Sequence, residues 1–244
     1  MCLMLLFRHV YIYAEDKVPS ASDLIIVNGK TIDPASLKTV SYFQKGSLRS
    51  EIESEARRLA EAGFFDKAIS RYRDALHPVL IEDEVNKSMA LWGIMQIHQW
   101  QGKFDSALQE LQWFLKMRAD KSEYTDKKAE LEALIKARDT SSNQSIYEFI
   151  DYMKKKWEKL IPPQASNTYT STVTSPIIQL YDYMGDYKGG ISFVEPIIKY
   201  HESNHHQKLS EEYTKIKQAF EESIRTGTKG LATHAILISD DFSW

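Results

Sequence analysis

Two stretches of this chain are close copies of one another. Residues 61–78 read EAGFFDKAISRYRDALHP and residues 101–115 read QGKFDSALQELQWFL. Each places a glycine two residues ahead of a Phe-Asp pair and an alanine two residues after the aspartate: Gly63-Phe64-Phe65-Asp66-Lys67-Ala68 and Gly102-Lys103-Phe104-Asp105-Ser106-Ala107. Helical periodicity flanks both. Ile52, Ala56 and Leu59 fall at i, i+4, i+7, and Ala68, Tyr72 and Ala75 repeat that spacing after Gly63. Gly63 stands where a helix needs a left-handed C-terminal cap. Helices this short are not stable alone in water, so the two must pack as a hairpin, with Ala56 and Ala68 allowing close approach. Leu91, Ile94 and His98, then Gly102, then Ala107, Leu111 and Phe114 repeat the design. Gly185-Asp186-Tyr187-Lys188-Gly189-Gly190 echoes the turn a third time.

The remaining segments are read around this pattern. Residues 1–22 form an N-terminal segment, and residues 23–48 a β-hairpin followed by a short helix. Ile25-Ile26-Val27 and Lys30-Thr31-Ile32 flank Asn28-Gly29, a pair suited to a type I′ turn. Asp33-Pro34 opens the short helix, which stops near Gly46. Residues 49–160 are helical repeats. Ser50 and Glu53 form a capping-box pattern, residues 124–138 a further helix, and Ser145 with Glu148 caps another that runs to about Leu160. Residues 161–175, rich in Pro, Ser and Thr, read as a loop. Residues 176–226 hold a further hairpin, opened by Ser175-Pro176, and a capping helix opened by Ser210. The apolar tail, residues 227–244, is expected to add a strand to the hairpin or dock as an extended arm.

The totals narrow the function classes. Of 244 residues, 43% are hydrophobic, enough for a real core. A net charge of -3 argues against a general nucleic-acid binder. The single cysteine, Cys2, excludes an internal disulfide framework and a cysteine zinc cage. No apolar run reaches the ~18 residues of a membrane span. The opening MCLMLLFRHVYIYA resembles the end of a secretory signal cleaved after Ala14, yet Arg8 and His9 interrupt it. A cytoplasmic chain with a plain N-terminal strand and an exported chain both remain open.

The repeated residues resemble the tetratricopeptide repeat. Ile52, Ala56, Leu59, Gly63, Phe65, Ala68, Ile69, Tyr72, Ala75 and Pro78 match one unit. Leu91, Ile94, His98, Gly102, Phe104, Ala107, Leu108 and Leu111 match a looser second, in which Met95 and Phe114 replace small residues. Tyr181, Gly185, Tyr187, Gly190, Ile191 and Val194 make a weak third. The spacing departs from the family period of about 34 residues: 39 residues separate Ala68 from Ala107, and 83 separate Ala107 from Gly190. The resemblance implies a predominantly all-α fold, an α-solenoid of antiparallel hairpins behind a short β-hairpin. Its concave face implies a protein or peptide partner. The family's concave positions fall on Glu53, Arg57 and Glu61 in the first unit and on Met89, Trp92, Gln96, Gln99 and Trp100 in the second. The family's clamp for acidic chaperone tails is not implied, because Glu53, Arg57 and Gly93 stand where its Lys and Asn belong.

The expected function is a non-catalytic scaffold or adaptor. Arg57, Trp92, Gln96, Gln99 and Trp100 are its partner-binding candidates: Trp anchors interfaces, and Gln pairs with peptide backbone. Packing of one or both Trp against the next helix pair is the alternative for those residues. No cofactor is expected. A second reading is a zinc hydrolase, since His201-Glu202-Ser203-Asn204-His205 matches H-E-x-x-H, with Glu221 or Glu222 as a third ligand. In that motif two His on one helix face bind zinc and the Glu activates water. Lys199, charged, and Gln207, polar where such enzymes carry an apolar residue, fit it poorly, and His also suits a helix C-terminus. The basic MKKKWEKL, residues 153–160, reads as a solvated helix end. A third reading is a structural subunit of a larger assembly, its concave face filled by residues 231–244. No phosphate loop, dinucleotide fingerprint or serine nucleophile elbow is present.

Overall fold

The computed structural model describes residues 25–27, 30–80, 84–116, 124–158 and 167–237. The signal-like N-terminus, Cys2, Asn28-Gly29, residues 161–166 and residues 238–244 lie outside them. The described chain is predominantly helical. A small hairpin of β1 (Ile25–Val27) and β2 (Lys30–Ile32) comes first, paired antiparallel with Ile25 opposite Ile32. Ten α-helices follow among the described residues: α1 (Tyr42–Glu61), α2 (Phe65–Ala75), α3 (Glu84–Trp100), α4 (Phe104–Lys116), α5 (Thr125–Thr140), α6 (Gln144–Glu158), α7 (Asn167–Met184), α8 (Tyr187–Ser203), α9 (Gln207–Thr226) and α10 (Leu231–Leu237). Each packs against the next in sequence, and α10 also packs on α7.

One turn geometry recurs five times. After α1, Gly63 takes φ +81°; its N–H donates to the Ala60 carbonyl (2.9 Å), and the Phe64 N–H donates to the Leu59 carbonyl (2.8 Å). This paired closure satisfies carbonyls that the helix end leaves open. Gly102 closes α3 and Gly185 closes α7 in the same way. The left-handed conformation costs an L-residue about 1–2 kcal/mol and glycine almost nothing, which explains the written signal. The same closure ends α5 with Ser141 at φ 53° and α8 with His205 at φ 59°. The short connections turn the chain back on itself, so α1/α2, α3/α4, α5/α6, α7/α8 and α8/α9 are neighbours.

The expected boundaries need six corrections. The short helix opened by Asp33-Pro34 ends at Thr39, not near Gly46, which lies inside α1. α1 starts at Tyr42, eight residues before the expected Ser50, because Ser41 and Gln44 form the capping box. Glu53 is then mid-helix and pairs with Arg49. Ser145 is no cap: inside α6, its buried hydroxyl donates to the Ala133 carbonyl of α5 (2.8 Å). Residues 167–175 are not loop but the start of α7, with Pro176 inside the helix. Val173, Ile177, Leu180 and Tyr181 are buried at helical spacing, and the Thr174 hydroxyl bonds that of Tyr213 at 2.6 Å. That packing overrides the weak helix propensity of the Ser/Thr stretch. α9 begins at Gln207 rather than Ser210, directly after the left-handed turn. The tail is neither strand nor arm over residues 231–237; it is α10.

The core falls into two clusters. Ile25, Ile52, Ala56, Ala68, Tyr72 and Ile94 join the hairpin to α1–α3. The larger cluster runs from Leu91 and Leu111 through Leu131, Ile150 and Ile177 to Phe220 and Ile236. Ala56 and Ala68 are fully buried, as close helix approach requires. Two buried carboxylates, Asp74 and Glu110, are paired with arginines. Arg71 Nη1 contacts Asp74 (2.8 Å) and donates to the Ile26 carbonyl (2.8 Å), tying the hairpin to α2. Arg73 pairs with Glu110 of α4 and lies 5.9 Å from the Trp113 ring centre.

Candidate functional site: an aromatic cleft at the helix turns

The recurrent turns bring equivalent positions together. Glu61, Trp100 and Tyr183 each stand two residues before a turn glycine. Phe65 and Phe104 each stand two residues after one. All five line one open cleft of about 480 Å³. Leu134 of α5 and Gln179 of α7 add to its wall, and Lys229, Gly230, Thr233 and His234 form the rim at α10. Phe104 is the floor, almost wholly buried, with its ring edge-on to Tyr183 (centroids 5.4 Å apart). Trp100 is half-buried and leans on Phe65 at 6.2 Å. Tyr183 remains 46% exposed, so aromatic surface faces solvent within a concave wall.

The charged groups near the cleft are mostly engaged. Glu61 Oε1 accepts from Arg57 Nε at 2.9 Å. Asp182, 1% exposed, accepts from the backbone N–H of Gly230 (3.1 Å) and of Thr233 (2.7 Å). It therefore caps α10 from α7, satisfying donors that the helix start leaves open. Gln99 Nε2 donates to Glu130, and Lys127 Nζ donates to Gln99 Oε1 at 3.0 Å. Lys229 and His234 are exposed and have no ion-pair partner among the described residues.

The expected partner-binding residues divide. Gln99 and Trp100 line the cleft; Arg57 is not among the lining residues but holds Glu61, which is. Trp92 and Gln96 are not among the lining residues. Trp92 packs against Phe114 (5.3 Å) and Tyr124 (5.6 Å), which touch each other at 4.6 Å. Gln96 carries a buried Oε1 without a hydrogen-bond partner among the described residues. Sequence reasoning missed Phe65, Tyr183 and the α10 rim. Alignment of the three glycine turns contained the signal for the first two, because they occupy the same offsets as Phe104 and Trp100.

The H-E-x-x-H string takes a different form from the one that zinc chemistry uses. α8 ends at Ser203, and His205 lies beyond it in the left-handed turn. His201 faces His206 instead, Nδ1 to Nδ1 at 3.2 Å, and stacks on Tyr213 with rings 12° apart. Burial first, and the charge of His206 second, push the His201 imidazole down to a pKa of about 4. Among the described residues no group of three His, Cys, Asp or Glu is arranged to hold a metal ion. No described helix is long and apolar enough to cross a membrane. Compared with protein-family models, curated proteins and solved structures, the chain matches none.

Proposed function

We propose that the protein is a non-catalytic scaffold or adaptor that holds a partner segment in the aromatic cleft, and that its hairpins form a tetratricopeptide-like α-solenoid. The observation that carries this reading is the cleft itself. The three glycine turns at Gly63, Gly102 and Gly185 deliver Phe65, Trp100, Phe104 and Tyr183 to one concave, partly exposed surface. Apolar concave surfaces with a few placed polar groups are the usual form of a binding site, and Trp and Tyr are its usual anchors. Asp182 is occupied by capping α10 and Glu61 by Arg57, which favours binding over acid–base catalysis. The solenoid reading draws support from the sequential packing of the helices and from five turns of one geometry. Repeat arrays of this kind use their concave faces for protein segments.

Selection from a displayed random-peptide library tests the reading. The full chain should enrich peptides with an aromatic or large aliphatic anchor. Trp100→Ala and Tyr183→Ala, each verified as folded by circular dichroism, should lose them. Enrichment that is unchanged in both variants moves the binding surface elsewhere.

A further inference from the structure

The cleft has a composition that the chain itself matches. Its floor and walls are aromatic, and its α10 rim carries two exposed cationic or titratable groups, Lys229 and His234, with no ion-pair partner among the described residues. The sequence after α10 continues Ile238-Ser239-Asp240-Asp241-Phe242-Ser243-Trp244: two carboxylates, then two aromatics spaced i, i+2. In an extended segment that spacing puts both rings on one side. We propose that residues 239–244 occupy the cleft in cis, with Asp240 and Asp241 against the Lys229 and His234 rim and Phe242 and Trp244 over Trp100 and Tyr183. This rests on the cleft being a segment-binding site, and it names the class of segment bound: acidic residues followed by aromatics.

Reach supports the cis arrangement. The description ends at Leu237, the last residue of α10, whose Thr233 and His234 already form a cleft wall. A helix of this length spans about 10 Å, which three or four extended residues cover on the way back. Asp240 and Asp241 then fall at the level of the cationic rim. Asp182 fixes the start of α10, so the rim and the root of the tail are held by one buried carboxylate. A tethered segment acts at an effective concentration of about 1 mM, so for an intrinsic Kd of about 100 µM the tail suppresses a free competitor roughly tenfold.

The test is titration of a synthetic peptide, residues 237–244, into three full-length proteins: the wild type, Phe242→Ala/Trp244→Ala, and that variant with Lys229→Glu added. One peptide per chain should bind the double variant, and bind the wild type about tenfold more weakly. Lys229→Glu should weaken binding threefold or more, an effect that shrinks as salt rises. Absence of binding to the double variant, or equal affinity for it and the wild type, overturns the proposal. So does a wild-type dimer that the tail substitutions dissociate, since the tail would then reach a second copy. Adding Trp100→Ala or Tyr183→Ala to the double variant should abolish binding; peptide binding that survives both puts the tail outside the cleft. If the library yields Trp100-dependent ligands while the tail peptide binds nothing, the tail assignment falls and the cleft reading stands. If the library yields none but the tail peptide binds in a Trp100-dependent way, the cleft serves only the tail.

Discussion

Trp92 and Trp100 lie eight residues apart on α3, close to one helix face, and they do different things. Both are half-buried, and Trp92 packs against Phe114 and Tyr124. Trp100 touches Phe65 and opens onto the cleft. What separates them is position relative to the turn. Trp92 stands well inside the helix, against Phe114 of α4 and Tyr124 just before α5. Trp100 stands two residues before Gly102, where the chain reverses. Residue type alone therefore does not decide which Trp lines the cleft; register against the turn does. The same contrast holds between the cleft and the buried His201–Tyr213 stack at the end of α8, which the exposed His206 covers.

The largest expected effect lies on the packed side. Trp92→Ala should cost about 3 kcal/mol of stability, since it opens a gap beside the Phe114 and Tyr124 rings; chemical denaturation measures it, and a loss below about 1 kcal/mol would erase the distinction between the two Trp. Acid probes the buried stack at α8. The folded-state pKa of His201, about 4, lies below the unfolded value near 6.5, so the unfolded chain binds the extra proton between them. This contribution is complete above pH 6.5 and is lost as pH falls toward 4, on the order of 2 kcal/mol. His201→Phe should flatten that part of the stability–pH profile.

Gly93 follows Trp92 on the covered part of α3. A Cβ there would stand 2.5 Å from Cζ of the Tyr72 ring. Gly93→Ala should cost about 2 kcal/mol by overpacking despite its better helix propensity, and a neutral result would mean that α2 and α3 can separate freely. At the turns the sign reverses. Ser141→Gly should stabilise by about 0.5–1 kcal/mol because it relieves the left-handed strain. A loss of stability there would show that Ser141 does not hold the conformation of Gly102. Trp100→Ala should have the smallest effect on stability, about 1 kcal/mol or less, and the largest on binding.

The hairpins α1/α2 and α3/α4 were legible because glycine marks a left-handed residue in writing. The turns at Ser141 and His205 make the same hydrogen bonds without that mark, so the helices around them are legible in the sequence but the α5/α6 and α8/α9 closures are not. The start of α7 was illegible for a different reason. Its Ser/Thr-rich residues gain helical structure from burial against partners far along the chain, among them Tyr213. α10 depends likewise on Asp182, 48 residues before Gly230. Of the cleft, Gln99 and Trp100 are pointed to by the concave positions that the resemblance to the tetratricopeptide repeat implies. Tyr183 and Phe65 needed the turns aligned to one another, and the rim needed the tertiary fold.

The most direct test of the central claim compares the affinity of one library-selected peptide for folded wild type, Trp100→Ala and Trp92→Phe. The account predicts that Trp100→Ala weakens binding tenfold or more with its melting temperature within a few degrees of wild type, while Trp92→Phe binds as wild type does. Undiminished binding by Trp100→Ala, or a loss confined to Trp92→Phe, would contradict it.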